Sequence, residues 1–225
     1  MKLPSEVPIM TLPNATLFPQ ALLPLYIFEP KYRQMLLDSL NTNRMFSVAM
    51  QKPGRTRETP SPIAGLGLIR VSVGHNDGTS HLILQGIARV ELEETVRYKP
   101  YRVQRIRPIE SPPCNELVVD ALLAKVRELL EERVKLGMPF PFPVMSKEKS
   151  SKAAETAGFS AKDVLEYLDK LSDPEEVADL VSCAVLSGPV ERQTILETVD
   201  LEARLKHLVH FLMAEITRQR KDKNR

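Results

Sequence analysis

Several groups of residues in this chain are of types that could do chemistry, and their spacing decides how far each reading goes. His207 and His210 stand three apart, the separation that puts two imidazoles on one helical face as a metal pair would need. No third Cys, His or carboxylate follows at a fitting interval, so packing or surface histidines are the stronger reading. Gly65-Leu66-Gly67 carries the start of a nucleotide-binding glycine pattern, but the third glycine and the helix that should follow are missing. Glu91, Glu93 and Glu94 close an alternating run, where carboxylates are expected to be solvated. Cys114 and Cys183 are the only cysteines and read as small buried residues in a reducing compartment. No Ser, His and Asp are singled out as a triad. A Gly-Lys dipeptide occurs nowhere in the 225 residues, so the phosphate-cradling loop that ends in Lys and Ser or Thr is absent.

The bulk properties narrow the field further. A formal charge of +2 is too small for long-range capture of nucleic acid or of a membrane surface. Aromatic residues make up 5% and Trp is absent, which leaves little material for base stacking. The first residues, MKLPSEVPIM, contain no apolar signal region, and no apolar run reaches the roughly 18 residues of a membrane span. A soluble, cytoplasmic protein without a bound cofactor is the expectation.

The elements that must position these residues fall into two textures. In residues 1–111, VPIMTLPN, ALLPLYIF, MFSVAMQ, IAGLGLIRVSV, HLILQGIARVELEETV and YRVQRIRPI read as strands, with KPGRTRETPSP as a loop. Asn76-Asp77-Gly78 predicts a tight hairpin between the fourth and fifth. LFPQALLPLYIFEPKYRQML is unusual: apolar, yet broken by Pro19, Pro24 and Pro30, which a central strand or helix interior would reject. Glu29-Pro30 reads as a helix entry, followed at helical spacing by Tyr32, Met35, Leu36 and Leu40.

Residues 112–225 change period. Val119, Leu122, Leu123, Val126, Leu129 and Leu130 make an amphipathic stripe that Gly137 and Pro139 end. MPFPFPV, near 138–144, predicts an extended connector, and helix resumes from about Ala161. Ser172-Asp173-Pro174-Glu175 and Gly188-Pro189 predict helix starts. Asp200 predicts the cap of a last helix with Leu201, Leu205, Leu208, Leu212 and Ile216 on its buried face. RQRKDKNR predicts a solvated, frayed end.

The order of LPNATLFPQALLPLYIFEPKYRQML, GLGLIRVSVGHNDGTSHLILQGIARVEL and ADLVSCAVLSGPVERQTILETVDLEARLKHLVHFLMAEI resembles the N-terminal domain of the ATP-dependent Lon proteases, over roughly residues 7–217. That resemblance implies an α+β fold: a PUA-like β pseudo-barrel followed by an α-helical bundle. It also implies recognition of unfolded or client polypeptides, with a separate protease or ATPase as a further partner and a role as adaptor or regulator of proteolysis. The Ser-Lys peptidase and ATPase motifs of full-length Lon are missing, so a non-catalytic module is expected. Phe28, Glu29, Lys31, Tyr32 and Arg33 combine aromatic surface with both charges and are the candidate polypeptide contacts. The competing reading is an RNA-binding PUA-like module using Arg97, Lys99, Arg102, Arg105 and Arg107, with strand alternation placing Arg105 and Arg107 on one side and Arg102 on the other.

Overall fold

The structure is a computed structural model that describes residues 2–55, 58–138, 166–167 and 170–223. It divides into two compact units, Met1–Ser111 and Pro112–Arg225. The class is α+β.

In the first unit the predicted strands form: β1 (Glu6–Leu12), β2 (Leu22–Ile27), β3 (Met45–Met50), β4 (Ile63–Gly74), β5 (Ser80–Arg97) and β6 (Val103–Pro108), with helix α1 (Pro30–Leu40) after β2. The sheet order is β2-β5-β4-β3-β1-β6, and β6 pairs back onto β5, closing a five-stranded barrel. Strand β5 makes closure possible because it is 18 residues long. Its first half pairs with β2, through Leu22↔Gln85 to Ile27↔Ser80, and its second half pairs with β6 from Val90↔Pro108 onward. The other edge of β5 is held by β4 from Ser80 to Glu91.

Both faces of β1 and β3 are used, which is why these strands read as near-continuous apolar runs. Val7, Ile9, Met45, Ala49, Ala64, Leu66, Val90 and Ile106 fill the barrel interior from all five barrel strands. The alternate residues Met10, Phe46, Val48, Ile69 and Leu84 meet Tyr32, Met35 and Leu36 of α1 on the opposite face.

The three prolines of the broken stretch each take a position that tolerates the missing donor. Pro19 lies in a turn, Pro24 in β2, and Pro30 at the first turn of α1. Pro24 sits opposite Ile83 and has no N–H to give the ladder. It therefore occupies a non-hydrogen-bonded position, and the backbone groups of β2 at Leu22, Pro24 and Tyr26 turn toward the edge away from β5.

The glycines read as a fragment of a nucleotide loop have a packing role. The backbone of Leu17 and Phe18 crosses the sheet directly over Gly65 and Gly86, and the Leu17 and Leu84 side chains fill the space over Gly67. A Cβ on Gly65 would stand 1.9 Å from the Leu17 carbonyl oxygen, and one on Gly86 would stand 1.9 Å from that of Phe18. Only glycine lets two backbones approach that closely. Gln20 N–H then donates to Gly86 C=O, and Gly86 N–H to Ala21 C=O, both at 2.9 Å, which leads the chain into β2.

The second unit contains α2 (Glu116–Lys135), α3 (Pro174–Val185), α4 (Pro189–Glu197) and α5 (Leu201–Lys223). Asn115 caps α2 and Asp173 caps α3, and Asp200 accepts from Ala203 N–H at 2.7 Å as α5 begins. Helices α2 and α5 run parallel. Asn115 N–H donates to the Glu202 carboxylate at 3.1 Å near their starts, and Lys223 Nζ donates to Leu136 C=O at 2.7 Å near their ends. The expected frayed tail is instead helix through Lys223, because Lys223 and Arg220 (paired with Glu132) are tied to α2. The expected connector at 138–144 lies outside the described residues except for Met138, as does the expected helix restart near Ala161.

Arg204 holds the turn between α4 and α5. Its side chain is fully buried, donates to Thr198 C=O at 3.0 Å and Val199 C=O at 2.8 Å, and lies 3.4 Å from the buried Asp179 carboxylate of α3. The expectation of two buried cysteines fails for Cys114, which is exposed just before α2. Cys183 is half-buried in α3, and burial pushes its thiol up from the ordinary range.

Two stability predictions follow from these contacts. Gly86→Ala should lower stability by at least ~1–3 kcal/mol, since neither backbone can give way cheaply; a urea melt with an unchanged midpoint would refute the close approach. Arg204→Ala should cost about 3–5 kcal/mol, because it removes a fully buried guanidinium that joins Thr198 C=O, Val199 C=O and the Asp179 carboxylate. Chemical unfolding followed by circular dichroism measures it, and a loss under ~1 kcal/mol would show that Asp179 is not buried as described.

Candidate polypeptide-binding face

Along β4 and β5, one face of the sheet lines the barrel interior through Ala64, Leu66 and Val90. Further along, toward the β4–β5 hairpin, the same face leaves the barrel and meets solvent. Pairing fixes which side chains appear there. Pro24, Ile83 and Val71 form one cross-strand row, and Tyr26, His81 and Val73 form the next. Leu22, Tyr26, Val71 and Val73 are exposed, and Phe28 extends the series one alternation beyond β2, at 58% exposure. The Tyr26 ring stacks on Phe28 at 5.8 Å between centroids and lies 4.7 Å from the His81 ring. Singly exposed apolar residues are ordinary; a three-strand group of them is not.

The five predicted contacts do not form one patch. Phe28 belongs to this face. Tyr32 is a correction: it is 5% exposed, in the core, with its hydroxyl donating to Thr11 C=O and accepting from Thr11 N–H, both at 3.2 Å. Burial, then the charge of Glu58, push its phenol up from the usual range. Glu29 is the N-cap residue of α1 and makes an ion pair with Lys31 at 3.7 Å. Lys31 reaches Glu58 at 2.7 Å and lies 4.4 Å over the Tyr32 ring. Partial burial works against its charge, but the bond to Glu58 prevails and holds the ammonium above its ordinary value. The Arg33 guanidinium lies over Gly78, in the space a Cβ there would occupy. Arg33 of α1 thus packs against the hairpin turn.

The basic series is also engaged. Arg105 and Arg107 point the same way, as alternation predicts, and Glu94 and Glu6 face the first while Glu91 and Glu93 face the second. The acidic group is thus one side of a cross-strand ion-pair ladder rather than a set of lone solvated carboxylates. Arg102 donates to Glu58 C=O at 2.9 Å and covers the Tyr98 ring, and Arg97 covers Tyr101. His207 and His210 pack their rings on Phe211. Among the described residues no three His, Cys, Asp or Glu are grouped to hold a metal ion, and no helix is long and apolar enough to cross a membrane.

Residues 6–214 match the ATP-dependent protease La (LON) substrate-binding domain family. The chain belongs to that family. Among curated relatives, Lon protease of Desulfosudis oleivorans is 26% identical over 94% of this chain and 24% of its own length. Lon protease 2 of Myxococcus xanthus is 28% identical over 93% of this chain and 24% of its own. The chain thus spans about a quarter of the length of these Lon relatives. Among solved structures, the N-terminal domain of Mycobacterium avium complex Lon protease aligns with a TM-score of 0.69 at 16% identity, covering 92% of this chain and 98% of that one. The Lon N-terminal domain protein from Xanthomonas campestris aligns at 0.56 and 18% identity, covering 91% and 97%. These structures share the Lon N-terminal fold.

Within this Lon-family unit, the residues the sequence reading missed are Leu22, Pro24, Tyr26, Val71, Val73 and Ile83. Their signal was present as alternation, Leu-x-Pro-x-Tyr in β2 continued to Phe28, and Val-x-Val in β4.

Surface and core should separate cleanly by mutation. Phe28→Ala should leave the melting midpoint within about the ±0.5 kcal/mol typical of surface changes. Tyr32→Phe should cost ~1 kcal/mol or more, since it leaves the Thr11 N–H without its partner. Thermal melts of both variants check this; equal effects would contradict the assignment.

Proposed function

We propose that this chain is a non-catalytic polypeptide-binding module that acts as an adaptor or regulator of proteolysis, and that the exposed face of β2, β5 and β4 contacts the bound chain. The carrying observation is the continuous apolar group of Leu22, Pro24, Tyr26, Phe28, Ile83, Val71 and Val73 on three adjacent strands. Membership of the Lon substrate-binding family supports the same reading. The occupant is an unfolded segment rich in apolar and aromatic side chains. A net charge of +2 and edge groups of both signs give little electrostatic capture, so area and shape supply the affinity. Pro24 leaves the open edge of β2 without one of its donors, which weakens strand addition at that edge. Side chains on the face, rather than backbone pairing at the edge, do the recognising. A separate protease or ATPase would act on what is bound.

RNA binding is the weaker reading, since Arg105 and Arg107 already face carboxylates. Binding of a labelled unfolded protein and of single-stranded RNA, each at low and moderate salt, separates the two. Peptide affinity should change less than about threefold with salt, and should drop at least tenfold in Tyr26→Ser/Val73→Ser/Phe28→Ser with the fold intact, whereas phosphate contacts would give a steep salt slope. RNA binding with such a slope and no peptide binding would overturn the proposal.

A further inference from the structure

We propose that His75 and His81 together bind a late first-row divalent cation of the copper(II), nickel(II) and zinc(II) group. This rests on the β4–β5 hairpin alone and stands whether or not the neighbouring face binds polypeptide. His75 follows β4 at the hairpin turn, and His81 is the second residue of β5. Nε2 of His75 lies 2.7 Å from Nδ1 of His81, with the ring planes at 87°. Two imidazole nitrogens aimed at one another can share a proton or share a cation. With metal–nitrogen bonds of roughly 2.0–2.1 Å, two adjacent ligand positions stand about 2.9–3.4 Å apart, so a small opening of the pair admits the ion.

The scaffold holds both rings close to that arrangement. His75 N–H donates to Thr79 C=O at 2.9 Å and Gly78 N–H donates to His75 C=O at 3.0 Å, which fixes the turn. His81 lies between Val73 of β4 and Tyr26 of β2, with the Tyr26 ring 4.7 Å from its own. The two histidines line one open concavity with Tyr26, Asn76, Asp77 and Thr79. The Asp77 carboxylate accepts from the Thr79 hydroxyl at 2.7 Å and the Thr79 N–H at 2.9 Å, which fixes it in the same turn as His75. The Arg33 guanidinium over Gly78 is a positive charge against the same turn. The protein offers two nitrogens and no third grouped ligand among the described residues, so water completes the coordination. Imidazole donors select copper, nickel and zinc over magnesium and calcium, which want oxygen. His207 and His210 differ, because their rings pack on Phe211 instead of facing each other.

The chain has four histidines, so each pair can be removed in turn. The full-length chain carrying Cys114→Ser, which removes the exposed thiol as a competing ligand, is titrated calorimetrically with nickel(II) and with magnesium(II). One nickel per chain and no magnesium binding are expected. His75→Ala and His81→Ala should each weaken nickel binding at least tenfold, while His207→Ala/His210→Ala should leave it within twofold. Should His81→Ala disturb the face, His75→Ala in the exposed turn decides, with the melting midpoint of the metal-free protein as the check on folding. Copper(II) spin resonance should show nitrogen coupling that disappears in His75→Ala/His81→Ala. Nickel binding that survives both single variants, tracks the other pair, or is absent at millimolar nickel overturns the proposal.

Discussion

Two backbones in van der Waals contact set the geometry of the first unit. Leu17 and Phe18 cross over Gly65 and Gly86 so closely that no side chain fits between. That crossing seals the α1-side core, where Leu17 is buried beside Leu84 and Phe46, and it delivers the chain to β2 through the Gln20 and Ala21 bonds to Gly86. Strand β2 then has one place to go: the free first half of the β5 edge. Moving the crossing away would remove the strand that carries Leu22 and Tyr26 and leads to Phe28, so the candidate face depends on two glycines that do not touch it.

The face itself is a by-product of strand length. Strands β4 and β5 outrun the barrel, and the side that was interior emerges into water still apolar. Surrounding charges do not soften it, because they are spent on one another. The Glu–Arg ladder on β5 and β6 cancels locally, and exposed pairs of that kind contribute only ~0–1 kcal/mol each to stability. The ladder's main effect is to commit Arg105 and Arg107 to carboxylates of β1 and β5.

Much of this fold was legible in the sequence because local signals and tertiary packing agree. Pro30, Asp173-Pro174 and Asp200 mark helix starts that form, and Asn76-Asp77-Gly78 marks the hairpin that forms. What stayed hidden depends on partners distant in sequence. The role of Gly65 requires knowing that Leu17 lies over it. Tyr32 sits among charged residues at a helix start, yet its phenol reaches Thr11 and the core. Period-two alternation gives no sign of a bulge: counted on from Leu66 and Leu68 it would put Arg70 and Ser72 on that face, and the register shift between Ile69 and Val71 puts Val71 and Val73 there instead. The end of α5 appeared frayed because its two ties to α2 cross 87 and 88 residues of chain.

The parallel pairing of α2 and α5 has a kinetic side. Antiparallel helices can zip from a short turn, whereas here Asn115 and Glu202 must meet across 87 positions before either helix has its partner. A contact order of that kind places the pairing late in folding, after the entropy of a long loop has been overcome. During synthesis the stripe of Val119, Val126, Leu129 and Leu130 therefore stays uncovered until α5 has been made, so α2 is, for that interval, the same kind of exposed apolar segment that the module is proposed to recognise in others.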